Sequence, residues 1–343
     1  MTAPGQLLDT SLGDWLSEHT GRSGAWELHR LAGGNSNETC LLTCDGTRYV
    51  LRRPPRHALS ASAHSVSREH RVLTALAGTP VAAPRPVALC EDPAVPMAPF
   101  LLMEHVPDAV SVTHELPAAY AGDPAAVTRL AEDMVDALAA IHRLDWRAAG
   151  LADFGRPERF LERQVPRWYR QWQGVARRPL PRMEQVADWL ERNRPEGSTP
   201  ALLHGDFHLD NCLVSTREPR LLAVIDWEMS TIGDPLVDLG LLLAFWGDRP
   251  LPRPAMPAIQ AVSRLPGSPT REDLLARYEQ AVGRRVEHIA YYQCLAFFKL
   301  AAIVEAAWSQ HLAGELDTPY SRALEYDVPA LLDEAAAFAG LAS

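Results

Sequence analysis

Hydrophobic periodicity changes once along this chain, near residue 107, and that change limits what it can fold into. Before it, apolar runs are short and strand-like: Trp26–Leu31, Glu38–Cys44 and Arg48–Arg52 are separated by Gly33-Gly34-Asn35 and Asp45-Gly46. An Asp-Gly pair between two β-like runs predicts a tight hairpin. A helix is expected over about Val66–Ala77, then strands near Val87–Cys90 and Phe100–Val106. Beyond Pro107, apolar residues recur every three or four positions in Ala125–His142, Pro157–Gln173 and Arg182–Asn193, and again in Pro235–Trp246, Arg271–Val282, Glu287–His311 and Ser321–Phe338. That spacing predicts amphipathic helices. One β-like island, Ala201–Asp226, interrupts them. The expectation is an α+β, bilobal chain: residues 1–103 form a small sheet lobe, 104–108 a hinge, and 109–343 a larger helical lobe. Ligands favour such seams.

Charge narrows the partners. The chain has 33 basic and 43 acidic residues, a net charge of -10, and no basic stripe or polybasic tail. No nucleic-acid partner and no anionic membrane partner is therefore expected. Among the basic residues only Lys299 is a lysine, so a lysine mechanism is excluded anywhere except near that position. Five cysteines occur without a CxxC pair, which reads as small buried side chains in a reducing compartment. Met1–Trp15 has neither a positive region nor an apolar run of a secretory leader. The stretches Pro235–Trp246 and Cys294–Trp308 are too short for a span or are interrupted by Asp238, Lys299 and Glu305. A cytoplasmic location is expected.

The chemistry concentrates in His204-Gly205-Asp206-Phe207-His208-Leu209-Asp210-Asn211, directly after the apolar run Ala201–Leu203. Fifteen residues past Asn211, the run Leu221–Ile225 ends in Asp226, and a strand-end carboxylate points into the cleft at the strand's mouth. Asp206, Asn211 and Asp226 offer two carboxylates and an amide oxygen. Such hard donors suit Mg²⁺ better than zinc. Phosphoryl transfer needs these parts, together with a carboxylate to take the acceptor's proton. A second reading treats His204-x-Asp206-x-His208 as a metallohydrolase cluster. It needs more histidines, and His142, His288 and His311 all fall in expected helices without ligand-type neighbours. A third treats the segment as a turn in which Asp and Asn satisfy backbone groups.

His204-Gly-Asp206-x4-Asn211, Ile225-Asp226-Trp227-Glu228 and Gly233-Asp234-Pro235-x2-Asp238-Leu239 resemble the aminoglycoside phosphotransferase, or choline-kinase-like, family. The resemblance runs across nearly the whole chain and implies a protein-kinase-like fold using ATP (or GTP) with Mg²⁺. It implies Asp206 as catalytic base, with Asn211 and Asp226 as metal ligands. The Gly33-Gly34-Asn35 turn then becomes the phosphate-covering hairpin, with Gly34 approaching the phosphates and Ser36 and Asn37 touching them. Strand alternation puts Val50 and Arg52 on one face, so Val50 lines the adenine pocket and Arg52 reaches the α/β-phosphates. The family's usual lysine is replaced there by an arginine, which keeps the charge but is longer and never deprotonates. Glu69 shares a helical face with Val66, Leu73 and Leu76, and an unpaired carboxylate there would be costly. Arg52 is its expected partner. Backbone groups of Glu104 and Val106 are expected at the adenine edge.

Only six residues separate Asp226 from Gly233, too few for the segment that holds a peptide substrate, so a small-molecule hydroxyl is the expected acceptor. Asp234 reads as a helix cap before Pro235, and Asp238 as a brace for the catalytic loop. Arg163-Gln164-x3-Trp168-x2-Gln171-Trp172 and Leu51-Arg52-Arg53-Pro54-Pro55 are similar to kinase domains associated with acyl-CoA dehydrogenases. That branch implies an acyl-type or other weakly polar acceptor. The aromatics Tyr291, Tyr292, Phe297, Phe298, Trp308, Trp168, Tyr169 and Trp172 read mostly as core. An antibiotic kinase and a catalytically idle pseudokinase stand as alternatives. Lys299, on an apolar helix far along the chain from the phosphate-binding lobe, is expected to be replaceable without effect on nucleotide use. The sequence leaves the oligomeric state open.

Overall fold

The computed structural model describes residues 6–31, 37–54, 66–113, 115–197, 199–247 and 261–341. Its first part contains β1 (Gln6–Leu7), α1 (Thr10–Thr20), β2 (Glu27–Arg30), β3 (Glu38–Cys44), β4 (Thr47–Arg53), α2 (Val66–Leu76), β5 (Pro86–Cys90) and β6 (Phe100–Glu104). The strands form one antiparallel sheet in the order β1-β2-β3-β4-β6-β5. Asp45 and Gly46 make the β3–β4 turn with φ of 48° and 75°, and Cys44 pairs Thr47 across it. Both turn residues are left-handed, as the twist of a two-residue hairpin requires. Alternation splits the sheet between two cores. Leu51 and Leu102 join Leu12, Leu16 and Trp26 on the α1 side. Leu101 and Met103 join Val66, Val72, Leu73 and Leu76 of α2 on the other, with Val50 packed against them.

From Ala109 onward helices dominate. The elements are β7 (Ala109–Ser111), α3 (Ala126–Arg143), α4 (Gln164–Val175), α5 (Pro181–Arg192), β8 (Ala201–Leu203), β9 (Cys212–Ser215), β10 (Leu221–Val224), β11 (Thr231–Gly233), α6 (Leu236–Phe245), α7 (Arg271–Val282), α8 (Ile289–Leu312) and α9 (Pro319–Phe338). The strands of the β-like island, β8, β9 and β10, join β7 and β11 from outside it in two small sheets, β10-β9-β7 and β11-β8. α8 packs against α4, α5, α6 and α9. By length and composition this 24-residue helix could cross a membrane, yet most of its apolar stretch is buried inside the molecule. A Cβ on Gly240 of α6 would meet the Tyr292 backbone of α8 at 2.6 Å, so only glycine lets these two helices approach so closely.

Several boundaries differ from the sequence reading. α1 has no counterpart in the sequence expectations: it is short, carries Gly13 in its first turn, and is held by an Asp9 side chain accepting from the Ser11 N–H at 2.9 Å. α4 starts at Gln164 rather than Pro157, because the Arg163 guanidinium binds the Arg156 and Glu158 carbonyls and holds that stretch as a loop. α7 matches its expected ends, with a Thr270/Asp273 capping box before it and left-handed Gly283 after it. All five cysteines are free and buried.

Two contacts set the site's frame. Residues 105–108 lead from β6 into β7, whose Ser111 Oγ donates to the Asp210 carbonyl at 2.7 Å. α2 docks onto the short turn Trp227–Met229. There Arg68 donates to the Ser230 carbonyl at 3.0 Å and lies 4.2 Å from the Phe154 ring centre.

Candidate active site

The loop His204–Asn211 leaves the buried strand β8 and turns at Gly205, whose φ is 85°. Fully buried Asp238 on α6 accepts the backbone N–H of His204 at 2.7 Å and of Gly205 at 3.0 Å. It is the loop brace expected from the sequence. Behind it, His142 Nε2 lies 3.5 Å away while His142 Nδ1 meets the Tyr278 hydroxyl at 2.7 Å. The His204 ring is used up internally: Nε2 donates to the Ile225 carbonyl at 2.8 Å and Nδ1 accepts the Asp206 N–H at 3.3 Å. It therefore cannot share a metal with Asp206 and His208, which removes the metallohydrolase reading. Among the described residues, no three His, Cys, Asp or Glu side chains are grouped to hold a metal.

Asp206 projects from this loop. The Asn211 amide donates to the Asp206 carbonyl at 2.8 Å and to its Oδ2 at 3.1 Å. His208 Nε2 lies 3.4 Å from Asp206 Oδ2, and its ring stacks on Phe245 at 4.6 Å. Burial pushes the His208 pKa down, but hydrogen bonds with Asp206 and Asp210 overcome this and raise it to about 9. The Asp206 carboxyl feels burial pushing it up, but His208, by hydrogen bond and charge, and Lys299 hold it well below the usual range.

The second acidic element is Asp226, in the left-handed region with φ of 68°. Such a conformation costs about 1–3 kcal/mol in a residue other than glycine and persists where surroundings enforce it. The Ile225 N–H donates to the Asn211 carbonyl at 2.9 Å, tying the two acidic segments together. From β4, Arg52 reaches across: Nη1 donates to Glu69 Oε1 and Nη2 to Asp226 Oδ1, both at 2.6 Å, with Glu228 at 3.9 Å. Arg52 is 8% and Glu69 1% exposed, so this bridge is buried. Burial pushes the Glu69 carboxyl up to about 7, with Arg52 opposing it.

Of the residues expected at the nucleotide, Gly34 and Ser36 lie outside the described residues. Asn37 is placed differently from a free phosphate contact: it is buried, and its amide donates to Glu228 Oε2 at 2.6 Å. The Glu104 N–H is committed to the Arg85 carbonyl at 2.9 Å, so any contribution from Glu104 must come from other atoms. Val106 follows within the connection to β7. The aromatics Tyr291, Tyr292, Phe297, Phe298, Trp308, Trp168 and Trp172 are buried core, not an open cage.

Sequence reasoning missed three participants. His208 was weighed only as a metal ligand, and Glu228 only as part of a motif. Lys299 was set aside as remote, whereas its Nζ donates to the Gly205 carbonyl at 2.7 Å, directly beneath Asp206. A lone charge on an otherwise apolar helix was the available signal.

Comparison with known proteins bears on the family and the fold. The sequence model of the phosphotransferase enzyme family matches residues 27–281. This chain belongs to that family. It is 32% identical over 317 residues to acyl-CoA dehydrogenase family member 10 of Mus musculus, covering 92% of this chain and 29% of that protein. The chain thus spans under a third of that relative's length. A solved structure from Ralstonia eutropha JMP134, designated an aminoglycoside phosphotransferase, superposes with a TM-score of 0.83 at 30% identity, covering 98% of this chain and 99% of the other. The aminoglycoside phosphotransferase APH(4)-Ia, solved with AMP-PNP and hygromycin B, shares the fold with a TM-score of 0.59 at 17% identity, covering 97% and 100%. The protein-kinase-like α+β fold is that of the aminoglycoside phosphotransferases.

Proposed function

We propose that this chain transfers the γ-phosphoryl group of ATP (or GTP) to a hydroxyl of a small acceptor, in the reducing cytoplasm. The observation that carries the reading is the Arg52 bridge between Glu69 and Asp226, built beside the Asp206–Asn211 pair. Asp226 and Asn211 present hard oxygen donors of the kind Mg²⁺ prefers. When bound, that ion supplies positive charge against the β- and γ-phosphates. Arg52, fixed at both ends, orients the nucleotide's phosphates from the sheet side. Asp206 accepts a hydrogen bond from the acceptor hydroxyl and takes its proton as the new O–P bond forms and the β–γ bridging oxygen leaves with ADP. A carboxylate held well below neutrality is a weak base, so its main work is to aim the hydroxyl, which suits a loose transition state. The resemblance to kinase domains of acyl-CoA dehydrogenase relatives favours an acyl-type or weakly polar hydroxyl acceptor. The arginine in the lysine position motivates the rival reading of an idle nucleotide-binding protein. The retained Asp206–Asn211 pair argues for turnover.

The test is Asp206→Ala. It should lower transfer across a panel of hydroxylated metabolites by at least about 10²–10³-fold while the rise in Tm with Mg²⁺–ATP persists. Undiminished transfer would remove Asp206 from the reaction, and nucleotide binding without transfer in the unaltered protein would favour the idle reading.

A further inference from the structure

Lys299 is none of the groups assigned to nucleotide, metal or acceptor, yet its placement is costly. It is the one lysine of the chain, sits on α8 among buried apolar residues, and is itself 8% exposed. A buried ammonium is unfavourable unless specific partners recover what it loses from water. A methionine of similar length would pack against Trp168, whose ring centre is 5.5 Å from Nζ, without that cost. The positive charge therefore needs another reason.

The reason lies in what Nζ holds. Its acceptor, the Gly205 carbonyl at 2.7 Å, is one end of the peptide bond whose other end is the Asp206 N–H. That N–H meets His204 Nδ1 at 3.3 Å, and the Gly205 N–H is held by Asp238 Oδ1 at 3.0 Å. A Cβ on Gly205 would overlap the Met229 carbonyl oxygen, so the turn is boxed in on its remaining side. Peptide units are planar. Fixing the oxygen and the N–H of this one fixes the direction in which the Asp206 side chain leaves the loop.

We propose that Lys299 is a positioning residue of the phosphoryl-transfer site: its ammonium grips the Gly205 carbonyl, sets the peptide plane that aims Asp206, and adds positive charge beneath the transferring group. Charge-assisted hydrogen bonds are the stronger kind and hold geometry well. Misplacement of a reacting group by about 1 Å can cost about a hundredfold in rate. The role rests on the kinase reading.

Two measurements test it, using Mg²⁺–ATP hydrolysis with water as acceptor. Lys299→Met should lower kcat by about tenfold to a hundredfold with KM for ATP nearly unchanged, and Lys299→Arg should recover part of the loss. Independently of any variant's folding, protein labelled with ¹³C-lysine gives one side-chain signal, because there is one lysine. Mn²⁺–AMP-PNP should broaden that signal, and Mg²⁺–AMP-PNP should leave it sharp. Unchanged kcat in Lys299→Met, a change confined to KM, or a lysine signal indifferent to Mn²⁺–AMP-PNP would each overturn the assignment. If the unaltered protein shows no rise in Tm with Mg²⁺–ATP, the kinase reading itself fails and takes this role with it.

Discussion

Replacing Arg52 by methionine isolates the electrostatic core of the site. Arg52 makes two charge-assisted hydrogen bonds at 2.6 Å, to Glu69 and Asp226, in a largely dry setting. Removing one partner of a buried ion pair costs about 3–5 kcal/mol, because the charge left behind is neither paired nor hydrated. Asp226, whose side chain is 26% exposed, can regain water; Glu69 cannot. Its carboxyl already titrates at about 7 against an ordinary value of 4.5, with burial raising it and Arg52 holding it down. Without Arg52 it rises further. A carboxyl with a higher pKa folded than unfolded binds more protons in the native state, so stability falls as pH rises from about 4.5 through the folded value. In Arg52→Met that falling window extends above 7. The deficit relative to the unaltered protein should therefore be near the full 3–5 kcal/mol, roughly, at pH 8 and smaller by about 1–2 kcal/mol at pH 6. Urea unfolding followed by circular dichroism at the two pH values measures both. A deficit under about 1 kcal/mol at pH 8, or one that grows as pH falls, would refute the buried-bridge reasoning.

Other expectations follow from the same geometry. Asp238→Ala strips the acceptor from the buried His204 N–H and the half-buried Gly205 N–H; at about 1–3 kcal/mol for the buried one, the Tm should drop clearly and transfer activity should fall with it. Chelation by EDTA should abolish the rise in Tm produced by ATP, and added Mg²⁺ should restore it. Persistence of the ATP effect in EDTA would count against Asp226 and Asn211 as metal ligands.

The β3–β4 hairpin was readable because Asp45-Gly46 is a local solution to a local problem, two left-handed residues in a row. The ends of α7 follow from apolar spacing alone, and the Thr270/Asp273 box and left-handed Gly283 found in the structure coincide with them. Pairing of Arg52 with Glu69 could be inferred because a carboxylate on an apolar helix face demands a cation, and the sheet offered one on the right face. α1 and β7 escaped notice because neither has enough apolar periodicity to stand out from its surroundings.

The sequence by itself determined the chemistry available: which carboxylates stand at strand ends, that the cation facing Glu69 must be an arginine, and that one lysine exists. Tertiary structure alone decided where that lysine goes. Residues 205 and 299 are joined only by the packing of α8 against α6 and α4, and no local spacing carries that information. Tertiary packing likewise turns Asp238 into a brace and encloses the helical aromatics, and a separate long-range contact holds Asn37 on Glu228. Hydrogen-bond geometry over the last ångström is set by many side chains filling one volume. A single sequence names those side chains but not their neighbours.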